Sequence, residues 1–236
     1  MEKVIYPVWR AQDVSEADFR ASLLGPFSEQ ALANPLVRGL KVCVVDEAVA
    51  PAAGYRMESI FPRGYDGVVL VWVEHATGLE ADHLGLADYC EAFHGYLVSE
   101  AEQIPGYHVE AKEGERTRGM NEIVCLKRPD RLSFEEWRDI WQNSHTQIAI
   151  DTQSTFGYRQ NLVIRKLDAD SPDIDAIIEE NFPEAAIHGR PAFYDAGDDE
   201  ALYQEREKIM VESCMRFIDF DRIDCIPTSE YVVKSV

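Results

Sequence analysis

A histidine among aromatic and aliphatic residues is the first candidate for chemistry in this chain. In the stretch WRDIWQNSHTQIAI (137–150), a helical repeat of about 100° per residue places His145 on the same arc as Trp141 and Ile148. Burying an imidazole without a hydrogen-bond partner is costly. Because a free imidazole titrates near neutral pH, His145 is a candidate general acid or base. The alternative is a core histidine bonded to a neighbouring carbonyl.

Two polar residues on the next segment could assist this histidine. The segment YRQNLVIRKL (158–167) is typical of a strand, in which Tyr158 and Asn161 lie three positions apart. Successive side chains of a strand point to opposite faces, so these two cannot line one pocket unless a bulge intervenes. We predict that Asn161 polarises a carbonyl group or orients His145. The alternative for Asn161 is a hydrogen bond at the sheet edge.

Aromatic side chains and a second histidine are candidate walls of a substrate pocket. Two of them share the arc of His145, one lies in the predicted strand GVVLVWVEH (67–75), and one lies in the strand-like PAFYD (191–195). The second histidine alternates with a tyrosine on the predicted strand YHVEAK (107–112) and could reach a barrel interior. The predicted substrate contacts are Trp137, Trp141, Trp72, Tyr194 and His108.

Composition restricts the classes of partner. The chain has 236 residues, of which 23 are Lys or Arg and 43 are Asp or Glu, so the formal net charge is −20. This charge repels phosphate backbones and anionic lipid headgroups, and we therefore expect neither a nucleic-acid partner nor a membrane partner. The start, MEKVIYPVWR, has no secretory apolar core, and no apolar run is long enough to span a membrane. We expect a cytoplasmic protein.

Motifs for metals and nucleotide cofactors are missing from the sequence. The five cysteines form no CxxC pair and no Cys/His cluster, and the loop histidines near Asp82 are more typical of solvated side chains. The chain also lacks GxGxxG after a strand, GxxxxGK[ST] and GxSxG. We therefore expect no metal and no cofactor.

The elements that must position His145 occur twice in the chain. Residue 4 placed on residue 122 aligns the two halves without a gap as far as residue 45. The helix cap, the apolar spacing and the glycine after the helix all agree, which makes coincidence unlikely. Matched positions include Arg10 with Arg128, Ser15 with Ser133, Phe19 with Trp137, and Gly39 with Gly157.

Each half is predicted to be a βαββαβ unit, the ferredoxin-like arrangement. The first repeat would span 1–117, with helices at 15–34 and 84–102, and the second would span 118–236, with helices at 133–152 and 199–216. The acidic, proline-bearing segment 168–191 is predicted to be a surface insertion or lid. We predict an α+β fold whose two antiparallel sheets pair into an α/β barrel. The alternative is that each half pairs with another chain, as in a homodimer.

The second half resembles the EthD-like branch of the dimeric α/β-barrel superfamily. In that family a strand ends in Lys/Arg-Pro, and a short loop leads to Ser/Thr-x-Glu-Glu-Phe/Trp. A Trp/Tyr-x-x-x-His helix, a Gly or Pro turn and a Tyr-x-x-Asn strand follow. The matching residues, within 122–165, are Arg128, Pro129, Ser133, Glu135, Glu136, Trp137, Trp141, His145, Gly157, Tyr158 and Asn161. The first half has Phe27 and Cys43 where the pattern has His and Asn.

The resemblance implies a cofactor-independent enzyme. Such an isomerase, lyase or cyclase would perform acid–base chemistry beside a carbonyl of a small, apolar aromatic or lactone-like compound. His145 would move the proton, and Asn161 or Tyr158 would stabilise the enolate. A cofactor-free oxygenase is a close variant. The alternative from another class is a non-catalytic binding or accessory protein of a degradative oxidation pathway.

Overall fold

Eight long strands close into one antiparallel barrel in the computed structural model, which describes residues 1–105 and 112–236. The barrel order is β2-β4-β1-β6-β8-β9-β7-β10, and pairing between β10 and β2 closes it. Two short strands, β3 and β5, pair with β10 and β1. The strands are β1 Glu2–Trp9, β2 Val37–Val44, β3 Met57–Glu58, β4 Gly67–Val73, β5 Ala92–Phe93, β6 Tyr96–Pro105, β7 Met120–Leu126, β8 Gly157–Lys166, β9 Ala176–Phe182 and β10 Ile223–Lys234.

The strand order is the same in the two halves of the chain. It runs β6-β1-β4-β2 in the first half and β10-β7-β9-β8 in the second. Two antiparallel junctions, β6 with β8 and β2 with β10, join the halves. Both junctions form within one polypeptide, so the second half covers the sheet face that the first half would otherwise leave open. The fold is α+β and dimeric α/β-barrel-like.

Helices cover the outside of the barrel. The α-helices of the described residues are α1 Glu16–Ser22, α2 Ser28–Ala33, α3 Phe134–Asp139, α4 Thr146–Thr152, α5 Glu184–His188, α6 Arg190–Phe193 and α7 Glu200–Phe217. None of them has the length and apolar character that a membrane crossing needs.

The first helix of each half contains a π turn at the matching position. Leu23–Phe27 separates α1 from α2, and Ile140–His145 separates α3 from α4. A hydroxyl stabilises each turn by donating to the carbonyl five residues earlier: Ser28 to Leu23 at 2.6 Å, and Thr146 to Trp141 at 2.9 Å. Such turns rotate the following residues around the helix axis and are frequent at functional sites. His145 is the last residue of its turn.

Apolar side chains fill two kinds of space. The inward faces of the strands meet inside the barrel, where Ile5, Leu70 and Ile123 pack together. The outward faces pack against the helices, in one layer for each half. The alternation of a strand therefore decides whether a side chain lies inside the barrel or beneath a helix.

The predicted helix at 84–102 is wrong. The structure has a short 3₁₀ segment at His83–Asp88, then β5 and β6. Gly85 has a φ of 80°, a backbone conformation that interrupts a helix. Hydrogen bonds of β6 to β1 and β8 outweigh the helical spacing of the apolar residues. The predicted strand 107–112 falls largely outside the described residues.

The predicted surface insertion at 168–191 is also wrong in its central part. This segment contains β9, all seven residues of which are buried between β7 and β8. Glu179 and Glu180 suggest a solvated segment, but Glu179 points into the barrel and Glu180 points under the helices. The strand-like PAFYD instead begins in α6, so Tyr194 follows a helix rather than lying on a strand.

Candidate active site

A cavity of about 110 Å³ lies between the outer face of the second-half sheet and the helices above it. The strands β7, β8, β9 and β10 form its floor, and the π turn, Gln153 after α4, and α7 form its roof. Most of the wall is apolar or sulfur-bearing, as is usual for a small-molecule site. Apart from the thiols of Cys214 and Cys225, the ionisable or amide side chains that line it are Glu122, His145, Gln153, Tyr158 and Glu180.

His145 is held from one side of its ring. Its Nδ1 lies 2.9 Å from the Oγ of Ser213 on α7, and the ring packs against Phe217 with centroids 4.5 Å apart. Arg216 donates from Nη2 to the same Ser213 Oγ at 2.8 Å. Burial lowers the pKa of His145 to about 4, and the charge of Arg216 adds to the effect. The imidazole is therefore neutral at physiological pH.

Two buried carboxyl groups face this histidine's cavity. Glu122 on β7 and Glu180 on β9 are directly paired across neighbouring strands, which places their Cβ atoms about 4.5–5.5 Å apart. Burial raises the pKa of Glu122 to about 7, against a smaller opposite effect of the Cys225 thiol and Arg190. Burial and the charge of Glu122 raise the pKa of Glu180 to about 8. The pair therefore retains a proton at neutral pH.

Two polar atoms of the cavity lack a protein partner. The Oε1 atoms of Glu180 and Gln153 are buried and form no hydrogen bond with any residue of 1–105 or 112–236. Each residue is only 7% exposed. Buried polar atoms are almost always bonded, so these two are free to bond a water or a ligand in the cavity.

Tyr158 and Trp141 border the same cavity. The Tyr158 hydroxyl accepts from Gln160 Nε2 at 3.2 Å, and Gln160 also donates to the π-turn hydroxyl of Thr146 at 2.7 Å. Burial raises the pKa of Tyr158, so its hydroxyl stays protonated. Trp141 packs on Trp137 with ring centroids 5.0 Å apart.

Two of the predicted aromatic contacts lie away from the cavity. Trp137 is buried beneath Trp141 and does not line the cavity wall. Tyr194 packs on Phe193 and Tyr203, with ring centroids 5.2 and 5.8 Å away. Both support the helix layer, and the structure does not bring them to the cavity. His108 lies outside the described residues.

Asn161 points to the opposite face of the sheet, into the barrel. Its Nδ2 donates to Glu179 Oε1 and to the carbonyl of Ile177, both at 3.0 Å. Tyr158 lies under the helices, so the strand alternation separates the two residues as expected, and Asn161 does not contact His145. Trp72 also points into the barrel, at the mouth of an opening of about 830 Å³, where the Nζ of Lys3 lies 4.6 Å from its ring.

Ion pairs fill the barrel beside Asn161. Lys3 and Lys41 both bind Glu179, at 2.5 and 3.1 Å, and Lys41 also binds Glu230 at 2.9 Å. Burial alone would raise the pKa of Glu179, but the charges of Lys3, Lys41 and Arg159 outweigh it and hold that pKa well below its usual range. The lysines come from the first half and these two glutamates from the second, so the network joins the halves.

The first half has hydrocarbon side chains where the second half has the carboxyl pair. Residue 4 aligns with residue 122, and Val4 is paired with Val71 on β4 as Glu122 is paired with Glu180 on β9. Both valines are fully buried under the first-half helix. A pair of valines therefore satisfies the packing at this place in the fold.

The same difference occurs at the histidine and the tyrosine. Phe27, in the first-half π turn, aligns with His145, and Leu40 aligns with Tyr158. Phe27 and Leu40 are both fully buried in the apolar layer. All four polar positions are thus confined to one half.

Sequence reasoning identified His145, Tyr158 and Trp141 of this cavity but missed the carboxyl pair. Glu122 has a usable signal, since it alternates with apolar residues in NEIVCLKR on the helix-facing side of the strand. Glu180 has no comparable signal, because its strand was not recognised. Within the described ranges, no group of three or more His, Cys, Asp or Glu residues is arranged to hold a metal ion.

Comparison with known proteins supports the fold class. No protein-family model matches the chain, and no curated protein sequence matches it. An anthrone oxidase-like protein is similar in structure, with a TM-score of 0.61 and 9% identity over 99% of this chain and 94% of that one. A candidate monooxygenase from Fusobacterium nucleatum subsp. nucleatum has a TM-score of 0.50 and 10% identity, over 99% and 92% of the two chains. At these identities the likeness establishes a shared fold.

Proposed function

We propose that this chain is a cofactor-independent enzyme that moves a proton next to a carbonyl group in a small, mostly apolar substrate. The reaction is of the isomerase, lyase or cyclase type, on an aromatic or lactone-like compound. We also propose that residues 1–117 and 118–236 are two ferredoxin-like repeats, the second of them EthD-like. The observation that carries the proposal is the difference between the halves at one cavity.

The buried polar side chains of the second half lower the stability of the fold. Burying a carboxyl group or an imidazole is less favourable than burying a valine or a phenylalanine of similar shape. The first half shows that hydrocarbons suit these positions. Polar groups kept at a cost in one of two equivalent places, around orphaned buried atoms, are typical of a functional site.

The test is a ligand screen followed by turnover assays. Lactones, phenolic ketones and aromatic acids are screened by thermal shift, and each stabilising compound is assayed with the wild-type protein and with His145→Phe. We expect the variant to fold and to lose turnover or affinity. The matched control is Phe27→His, which should create no second site. If His145→Phe unfolds the protein while its remaining folded fraction binds normally, the histidine is structural.

The same assay tests the expected independence of metals and cofactors. Turnover should persist in the presence of a chelator and without added nucleotide, since the proposed chemistry needs only proton transfer. Loss of turnover on chelation that a divalent ion restores would contradict it.

A cofactor-free oxygenase is a second candidate. It is favoured by the two proteins of similar fold, which are named as an anthrone oxidase-like protein and a monooxygenase. Oxygen uptake coupled to substrate loss would select it over proton transfer. Ligand binding without any turnover would favour a binding or accessory protein.

A further inference from the structure

Charged groups around the carboxyl pair determine what the cavity can bind. Glu122 and Glu180 project into it from the floor, and no Lys or Arg lines it in the described part of the chain. The titratable groups facing the pair are the His145 imidazole, the Tyr158 hydroxyl and the thiols of Cys214 and Cys225. Arg190 acts on Glu122 only through space. An anionic ligand would find no counter-charge here.

The hydrogen bonds of His145 determine where its proton lies. Arg216 donates to Ser213 Oγ, and no other described residue accepts the Ser213 hydroxyl proton, so we assign that proton to the hydrogen bond with Nδ1 of His145. A neutral imidazole that accepts at Nδ1 carries its proton on Nε2. No described residue bonds Nε2, so His145 presents an N–H donor to the cavity.

The positions of these side chains indicate the chemical role of each one. We infer that Glu122 and Glu180 are a facing carboxyl pair, one member of which serves as the base for an uncharged, single-ring carbonyl or hydroxyl compound, while His145 donates a hydrogen bond to its oxygen. This inference rests on the proposed function for the proton-transfer step, and it assigns to the carboxyl pair the base role that the sequence suggested for His145.

The step is balanced without any co-reactant. The ionised carboxylate removes a proton from the carbon beside the carbonyl, and the electron pair of the broken C–H bond forms the enolate. The Nε2–H of His145 stabilises the enolate oxygen. The same carboxylic acid then returns the proton to another carbon of the conjugated system, which gives an isomer.

Size and polarity define the ligand class. A cavity of about 110 Å³ is somewhat smaller than the roughly 150 Å³ apolar cavity that holds benzene, so it limits the buried part of a ligand to a single ring. The His145 donor requires an oxygen acceptor, which an ammonium ion cannot supply. The unpartnered Gln153 Oε1 is able to accept a hydrogen bond from a hydroxyl of the ligand.

The binding test compares ring compounds of equal shape and different charge. Benzamide, benzoate and benzylammonium are titrated by NMR at about pH 6 and about pH 9, and acetophenone serves as a carbonyl compound with exchangeable α-hydrogens. We expect benzamide and acetophenone to bind, and benzoate and benzylammonium to bind at least about tenfold more weakly at about pH 6. Benzamide affinity should fall at about pH 9, where both carboxyl groups are ionised.

Variants assign this behaviour to the pair. Glu122→Gln/Glu180→Gln keeps the shape and hydrogen bonding but cannot ionise, so benzamide affinity should become independent of pH. It should also abolish the uptake of deuterium from D₂O into acetophenone, which we expect the wild-type protein to catalyse. The control is Glu212→Gln, whose side chain is exposed on α7 and which should change neither property. Far-UV circular dichroism confirms that each variant is folded.

Each failure has a distinct meaning. Benzoate or benzylammonium binding as tightly as benzamide at about pH 6, or no binding of any neutral probe at that pH, overturns the ligand class. Exchange that survives in the double variant overturns the base assignment. Binding in the expected charge order without exchange by the wild-type protein refutes the base role and the proton-transfer function, and it leaves the ligand class standing.

Discussion

Replacing Glu180 by Gln should stabilise the protein in a manner that depends on pH. The pKa of this carboxyl is about 8 in the folded chain, against an ordinary value of 4.5. At 1.36 kcal/mol for each pKa unit, this difference corresponds to about 5 kcal/mol. Because the folded pKa is the higher one, the folded state binds the proton more tightly. The stabilisation is complete below pH 4.5 and is lost as the pH rises through 8.

About 3 kcal/mol of this stability should already be lost at neutral pH, a large share of a typical total of 5–15 kcal/mol. The free energy of unfolding in urea should therefore be equal for Glu180→Gln and the wild-type protein near about pH 4, and greater for the variant by about 4–5 kcal/mol near about pH 8.5. Glu212→Gln removes the same charge from the surface and corrects for net charge. A difference between Glu180→Gln and the wild-type protein that does not grow with pH would refute the buried pair.

Three further predictions concern other parts of the structure. His145→Phe should abolish an acid-side loss of about 3 kcal/mol between pH 6.5 and about 4, because the folded pKa of His145 lies below its ordinary value; equal acid unfolding of variant and wild type would contradict this. Lys41→Met should destabilise the protein by about 3–5 kcal/mol in urea, because it leaves buried carboxylates uncompensated, and Lys41→Met/Glu230→Gln should recover part of the loss; an unchanged midpoint would refute the ion-pair network. Thr146→Val should cost about 1 kcal/mol of unfolding free energy, as should Ser28→Ala at the matching π turn; a neutral effect at either position would exclude that hydroxyl as the turn's support.

The parts of the fold that the sequence predicts best are those with local signals. Ser133 caps its helix, and the capping box with Glu136 forms as the acids in the first turn suggest. The strands around 4–9 and 121–128 alternate or are continuously apolar, and the structure has strands there. The barrel prediction follows from the same order of elements occurring twice, and each of those elements can be recognised from a short stretch of sequence.

The missed parts depend on long-range partners. The strand β9 carries acidic residues on both faces, and only the lysines of distant strands and the cavity under α7 make their burial acceptable. Over 84–102, strand pairing with residues about 70 positions away, such as Leu97 with Arg165, outweighs the helical spacing of the apolar residues. No local pattern reveals such partners. The sequence does not reveal the carboxyl pair for the same reason, because Glu180 becomes a candidate functional residue only when strand pairing places it opposite Glu122.

Closure of the barrel within one polypeptide has a consequence for how the two faces can differ. If two identical subunits formed this barrel, any substitution would appear on both sides, and the penalty for burying a carboxyl pair would be incurred twice. In this chain the β2–β10 and β6–β8 junctions are covalently tethered, so the penalty is incurred once. One side can remain a hydrocarbon scaffold that maintains the fold at any protein concentration. The other side can then carry buried polar groups at a smaller loss of stability than in a symmetric assembly of the same size.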